Sequence, residues 1–198
     1  MLKSGAISQQ FGFTLVEIVV VIGILGVLMA VALPSYQAWI RNTQIRTAAE
    51  SIQNGLQLAR AEAVKRNRNV DFVLTNNPSV ATSAGFGATA LAGAINQLQN
   101  VNWLVRVNTG AAPTINDYIQ GRVSTEGSRN VAISAPQATI TFNSFGRLTP
   151  APGAILTISV TDPTLTAANQ RQLNVTINTG GSPRMCDPQL SSSNAQAC

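Results

Sequence analysis

The chain has 198 residues, 13 Lys and Arg against 8 Asp and Glu, a formal net charge of +5 and no histidine. Lack of histidine excludes His-based triads, His general bases and most zinc sites at once. Charged residues are 11% and aromatics 5% of the chain, against about 25% charged in ordinary soluble domains, and Ser, Thr, Asn and Gln fill the difference. Uncharged polar surfaces of this kind are common in secreted β-rich domains. The mild basic excess fits a solvated surface as well as it fits a polyanion partner. The length suits one domain once the apolar segment near the start is set aside.

Residues 1–12, MLKSGAISQQFG, are polar with one lysine, Lys3. Residues 13–33 then run apolar with a single charge, Glu17. About 20 helical residues cross a bilayer core, so this segment is long enough to span. Its plan differs from a secretory signal peptide, whose apolar region precedes the cleavage point. Here the candidate processing point, Gly12, comes before the apolar run. Lysine and arginine counts barely orient the segment, since Lys3 lies on one side and Arg41 and Arg46 lie on the other.

Helical periodicity continues past Pro34. Tyr36, Ile40, Ile45, Ala48, Ala49, Ile52, Leu56, Ala59 and Ala63 recur at steps of three to five, one apolar stripe on a 3.6-residue period. The spacing predicts a helix from Phe13 to Asn67, roughly 80 Å long at 1.5 Å per residue. Its membrane half would be 13–33 and its amphipathic half 34–68, the latter packed on a globular domain. Pro34 falls between the halves, where it removes a hydrogen bond and permits a kink. Glu62 and Arg66 form an i,i+4 pair. Lys65, Arg66 and Arg68 suit the negative end of the helix dipole, and this account of the basic cluster outweighs a binding site.

From residue 69 to 198 the period changes to two. Strands are predicted at 70–75 (VDFVLT), 101–107, 118–123, 130–134, 138–143, 155–161 and 171–178, rich in Val, Ile and Thr and separated by Gly, Pro, Asn and Ser. Residues 76–100 read as a long surface loop with one helical turn near 90–98. The expected fold class is α+β, a long N-terminal helix packed on an antiparallel β-sheet domain. No enzyme is expected. Asp71, Asp117 and Asp162 have neither paired-carboxylate nor metal spacing. Gly85-Phe86-Gly87 lacks the strand and the Lys-Ser/Thr of a phosphate loop. No cofactor or metal is expected.

Gly12-Phe13-Thr14-Leu15-Val16-Glu17, followed by an apolar run ending in Pro34, resembles the processing site of type IV prepilins and type II secretion pseudopilins. Leu58 to Arg66, LARAEAVKR, and the later Thr141-Phe142-Asn143-Ser144-Phe145-Gly146-Arg147 are similar to elements of the GspH/FimT branch of minor pilins. The resemblance implies that a prepilin peptidase cuts between Gly12 and Phe13 and that Phe13 is N-methylated. It implies a type IV pilin-like fold and a single-pass inner-membrane protein with its C-terminal domain in the periplasm. The protein would then enter a pilus or pseudopilus among other pilin or pseudopilin subunits. An unpaired carboxylate in the bilayer core costs about 2.5 kcal/mol or more. In a stack of such helices the new α-amine of one subunit, largely protonated at neutral pH, can pair with Glu17 of its neighbour and set the axial register. The bland alternative is a Glu17 that snorkels to the interface.

Cys186 and Cys198 lie in a Ser/Pro/Asn-rich tail. An even count there suggests one disulfide in an oxidising compartment, the alternative being two free thiols. Some FimT-type members resemble DNA receptors for natural transformation that carry a G-R-x-R tail motif. The matching stretch here, Gly181-Ser182-Pro183-Arg184, lacks the first arginine. Arg184 is the candidate DNA contact, with help from Arg147 or the basic helix end, and such binding is expected to be weak because affinity follows the number of neutralised phosphates.

Overall fold

The computed structural model describes residues 12–85, 87–151 and 153–198. Residues 1–11 of the expected leader at 1–12, and Phe86, lie outside the described residues. Among the described residues one α-helix, α1 (Leu15–Arg66), is followed by nine strands. These are β1 (Val70–Thr75), β2 (Ile95–Gln99), β3 (Asn102–Val107), β4 (Tyr118–Arg122), β5 (Ala132–Ala135), β6 (Thr139–Phe142), β7 (Leu156–Thr161), β8 (Leu173–Ile177) and β9 (Pro183–Cys186). Contacts divide the chain into two compact units, separated between Gln37 and Ala38.

In the first unit α1 continues through Pro34 without a break in its assignment. It is long and apolar enough to cross a membrane, and its most apolar stretch buries nothing within the protein. Helix formation there needs no tertiary support in lipid, because each backbone group is satisfied within the segment.

In the second unit the strands form two antiparallel sheets, ordered β4-β3-β1-β6 and β2-β5-β7-β8-β9. The apolar stripe of α1 begins to bury at Ile45. Ile45, Ala49, Leu56, Ala59 and Ala63 are wholly inaccessible, whereas Ile40 stays exposed. Small residues at 48, 49, 59 and 63 let the helix axis approach the first sheet closely. Phe72, Leu74, Trp103, Val105, Ile140 and Phe142 of that sheet, and Ile133, Ile158, Val160, Val175 and Ile177 of the second, complete one continuous core around the helix. Burying each such side chain stabilises by about 1.5–3 kcal/mol against an extended-chain reference.

β1 is buried along its whole length, which an alternating reading does not anticipate. Its Phe72 and Leu74 join the main core. Val73 joins a second, smaller cluster with Leu104 of β3, Val80 and Ala88. That second cluster corrects the expectation for 76–100. The segment is a cover over the outer face of the first sheet, built from short 3-10 turns at Pro78–Ala81 and Ser83–Gly85. The helical turn expected near 90–98 is instead β2, paired to β5 with a register shift between Ile95 and Leu98. Only Ile95 of β2 is buried. Its extended form comes from the hydrogen bonds of the β5 edge and not from its own side chains, so composition gave little sign of it. β9 was likewise hidden in the tail. It pairs with β8 as an edge strand headed by Pro183, a position where a residue without an N–H is tolerated.

Among the described residues one buried side-chain polar atom, Ser124 Oγ, has no partner, and the buried aspartates are paired. Asp71 accepts from Asn108 Nδ2 at 3.1 Å and from Thr141 Oγ1 at 2.6 Å. Asp162, fully buried, accepts from the Thr164 N–H at 2.9 Å and from Arg41 at 3.3 Å. These contacts place both aspartates in structural roles.

Candidate processing and assembly site

The candidate site begins where α1 begins. Residues 12–14 are non-helical, and Gly12 and Phe13 are exposed, Phe13 at 78%. Thr14 occupies the position before the first helical residue and its Oγ1 accepts from the Glu17 N–H at 3.2 Å. This is half of a capping box, in which a Thr caps and an acid follows three residues on. The T-x-x-E spacing was legible in the sequence but was not used to place the helix start. Thr14 therefore fixes the boundary just after the Gly12–Phe13 peptide and leaves that peptide outside the helix and exposed.

Glu17 is exposed in the first turn of α1. A negative charge there complements the positive end of the helix dipole. Among the described residues no basic group pairs with its carboxylate, and the helix end compensates the charge in part. Around Gly12 there is open space, since an added Cβ meets nothing within 4 Å. The described part of the fold places no steric demand for glycine at that position. Pro34 lies in the helical assignment, its side chain outside the described ones.

The tail forms a separate feature of the second unit. Cys186 and Cys198 are joined by a disulfide. Arg184 Nη2 donates to the carbonyls of Ala195 at 2.6 Å and Ala197 at 3.1 Å. The Asp187 N–H donates to Gln196 O at 2.8 Å. Arg184 thus folds the last turn of chain back onto β9 beside the disulfide. The candidate DNA contact is tied to its own tail. Gly181, with φ +78°, is required for another reason. A Cβ there would sit 2.1 Å from the carbonyl oxygen of Gly146, so the tail and the 143–147 turn touch backbone to backbone. Sequence reasoning had read Gly181 only as a motif position.

A family model described as type II transport protein GspH matches residues 48–181. The chain belongs to the GspH family. A second model, the prokaryotic N-terminal methylation motif, matches residues 7–33 of this GspH-family chain. It is also similar to a fimbrial protein of Neisseria meningitidis, 34% identical over 116 residues, covering 57% of this chain and 62% of that protein. A fimbrial protein of Moraxella nonliquefaciens is 44% identical over 50 residues, covering 25% of this chain and 32% of that protein. The GspH-family chain thus spans less than two thirds of the length of these fimbrial relatives. Among solved structures, the type IV minor pilin FimU of Pseudomonas aeruginosa aligns with a TM-score of 0.48 and 16% identity, over 73% of this chain and 97% of that one.

Proposed function

We propose that this GspH-family protein is a minor pilin or pseudopilin, a non-enzymatic subunit of a type IV pilus or a type II secretion pseudopilus. The observation that carries the reading is the N-terminus of α1. A methylation-motif match covers residues 7–33, and within it an exposed Gly12–Phe13 peptide precedes a capped apolar helix with one acid at Glu17. In this reading a prepilin peptidase cuts after Gly12 and methylates Phe13. The subunit waits in the inner membrane with its disulfide-bearing domain in the periplasm. On extraction, Glu17 takes the protonated amine of a neighbouring pilin-type subunit and fixes the register between stacked helices. DNA binding by the tail ranks below the structural role, because Arg184 already serves two tail carbonyls.

Intact-mass measurement on protein from membranes of the producing cell tests the processing step. The expected species begins at Phe13 with one added methyl group, and Gly12→Glu is expected to leave the longer form uncut. A wild-type mass starting at Met1 would overturn the reading. Glu17→Val separates register from anchoring. Membrane levels should hold, since removing a charge favours insertion, while incorporation into sheared filaments should fall at least tenfold.

A further inference from the structure

Among the described residues of 38–198, Phe145 is the most exposed large apolar side chain, at 82%. It is held out by a turn with little freedom. Asn143 Oδ1 accepts from the N–H groups of both Phe145 at 3.0 Å and Arg147 at 3.1 Å, and the Asn143 N–H donates to Arg147 O at 2.8 Å. The turn is also fixed from below, where Arg60 Nε donates to Gly146 O at 3.2 Å. Beside Phe145 runs a shallow groove on α1 lined by Ala61, Val64, Arg60 and Lys65, with Val64 itself 54% exposed. A rigid, exposed ring next to further apolar surface is an anchor of the kind that fills a pocket on a partner.

The charge around it chooses the partner. Glu62 is the acid of this stretch of helix, and it is shared by Lys65 at 3.1 Å and Arg66 at 2.6 Å. Arg60, which lines the groove, and Arg147, two residues from Phe145, add charges that form no ion pair among the described residues. The rim is therefore positive. A second copy of this chain presents no pair of unengaged carboxylates among the described residues of 38–198. Glu50, Glu126 and Asp162 are ion-paired within their own chain, Asp71 is buried, Asp117 caps a turn through Thr114, and Asp187 accepts the Gln189 N–H at 2.8 Å and shares its pocket with Arg46 and Arg171. The excess of three charges, Arg60, Lys65, Arg66 and Arg147 against Glu62, would neutralise few phosphates, which disfavours nucleic acid, and the apolar part of the surface needs an apolar counterpart.

We infer that Phe145 and the adjoining groove of α1 form a docking surface for a different protein subunit, one that presents an apolar pocket rimmed by carboxylates. This rests on the subunit role proposed above and adds that the contact is heterotypic and that it recognises an acidic partner.

The test uses the full chain in the cells that make it, with Phe145 replaced by p-benzoyl-phenylalanine and photo-crosslinked in place. Mass spectrometry of the adduct and of the N-terminus is done on one sample. The expected adduct joins position 145 to another pilin-type protein within a few residues of two or more Asp or Glu. Arg147→Glu, at an exposed position outside the Glu62 ion pairs, should lower its yield at least tenfold while the thermal midpoint stays unchanged. Adducts with this same chain, with nucleic acid or with lipid would overturn the inference. So would the absence of an adduct, or one indifferent to the charge reversal. A chain still beginning at Met1 would instead sink the subunit reading, so the two failures are distinguishable.

Discussion

Gly55 lies in the buried half of α1, where two rings occupy the space a side chain would need. A Cβ there would lie 2.7 Å from Phe72 Cε2 and 3.2 Å from the Trp103 ring, and those rings are stacked at 5.7 Å. Glycine in a helix interior costs about 1 kcal/mol against alanine, so its presence is explained by packing. Overpacking a tight core costs about 1–3 kcal/mol and more for larger side chains, which outweighs the regained propensity. Gly55→Val should therefore lower stability by about 2 kcal/mol, read as a shift in the urea midpoint of the full chain in detergent micelles. The same rings set a second expectation. Trp103 Nε1 donates to Ser51 Oγ at 2.9 Å in a buried position. Ser51→Ala leaves that donor without an acceptor, and a loss of about 1–3 kcal/mol follows. An unchanged midpoint in the same titration would show that the indole finds another partner.

At the scale of elements, the C-terminal end of α1 carries a pH response. The Glu62 carboxyl is held below its ordinary value of 4.5, first by the hydrogen bond from Arg66 and then by Lys65, with burial opposing. A group whose folded pKa is depressed contributes stability above its unfolded pKa and loses it as pH falls through the folded one. The thermal midpoints of wild type and Glu62→Gln should therefore differ at pH 7 and converge as pH falls below 4.5. A constant gap down to pH 3 would assign the effect to packing. Edge elements depend on their neighbours in another way. β2 and β9 hold their extended form through β5 and β8, so loosening the partner strand should release them before the central strands open.

For the molecule as a whole, a few polar links attach the last third of the chain to the helix. Arg41 reaches Asp162, and Asn42 exchanges hydrogen bonds with the Asn169 carbonyl and the Arg171 N–H, both near 2.9 Å. The tail then closes on itself through the disulfide and Arg184. A cross-link closing a loop of this size stabilises by ~3 kcal/mol in the chain-entropy account. Part of that constraint survives without it, because β9 pairing and Arg184 still hold the loop. Cys198→Ser should thus cost less than ~3 kcal/mol, and adding Arg184→Gln should bring a further loss, measured as successive drops in urea midpoint. A loss unaffected by Arg184→Gln would show that the disulfide alone shapes the tail.

Periodicity and local chemistry were enough to place α1 within two residues of each end, to place β1, and to find the other strands that carry Val, Ile and Thr. The resemblance to prepilins marked Gly12 and Phe13, and local chemistry singled out Glu17 and the cysteine pair. All of these depend on interactions between neighbours in the chain or on one residue's transfer into lipid, and the residue order encodes both. What the sequence did not determine was decided between distant segments. β2 became a strand because an edge was open beside it, and residues 76–91 became a cover because the outer face of the first sheet had Val73 and Leu104 to bury. Gly55 and Gly181 are fixed by atoms 48 and 35 positions away, Trp103 and Gly146, and Arg184 by carbonyls beyond the disulfide. Close approach and shared hydrogen bonds between remote segments leave no periodic trace in the chain, and only the assembled core and its polar links select them.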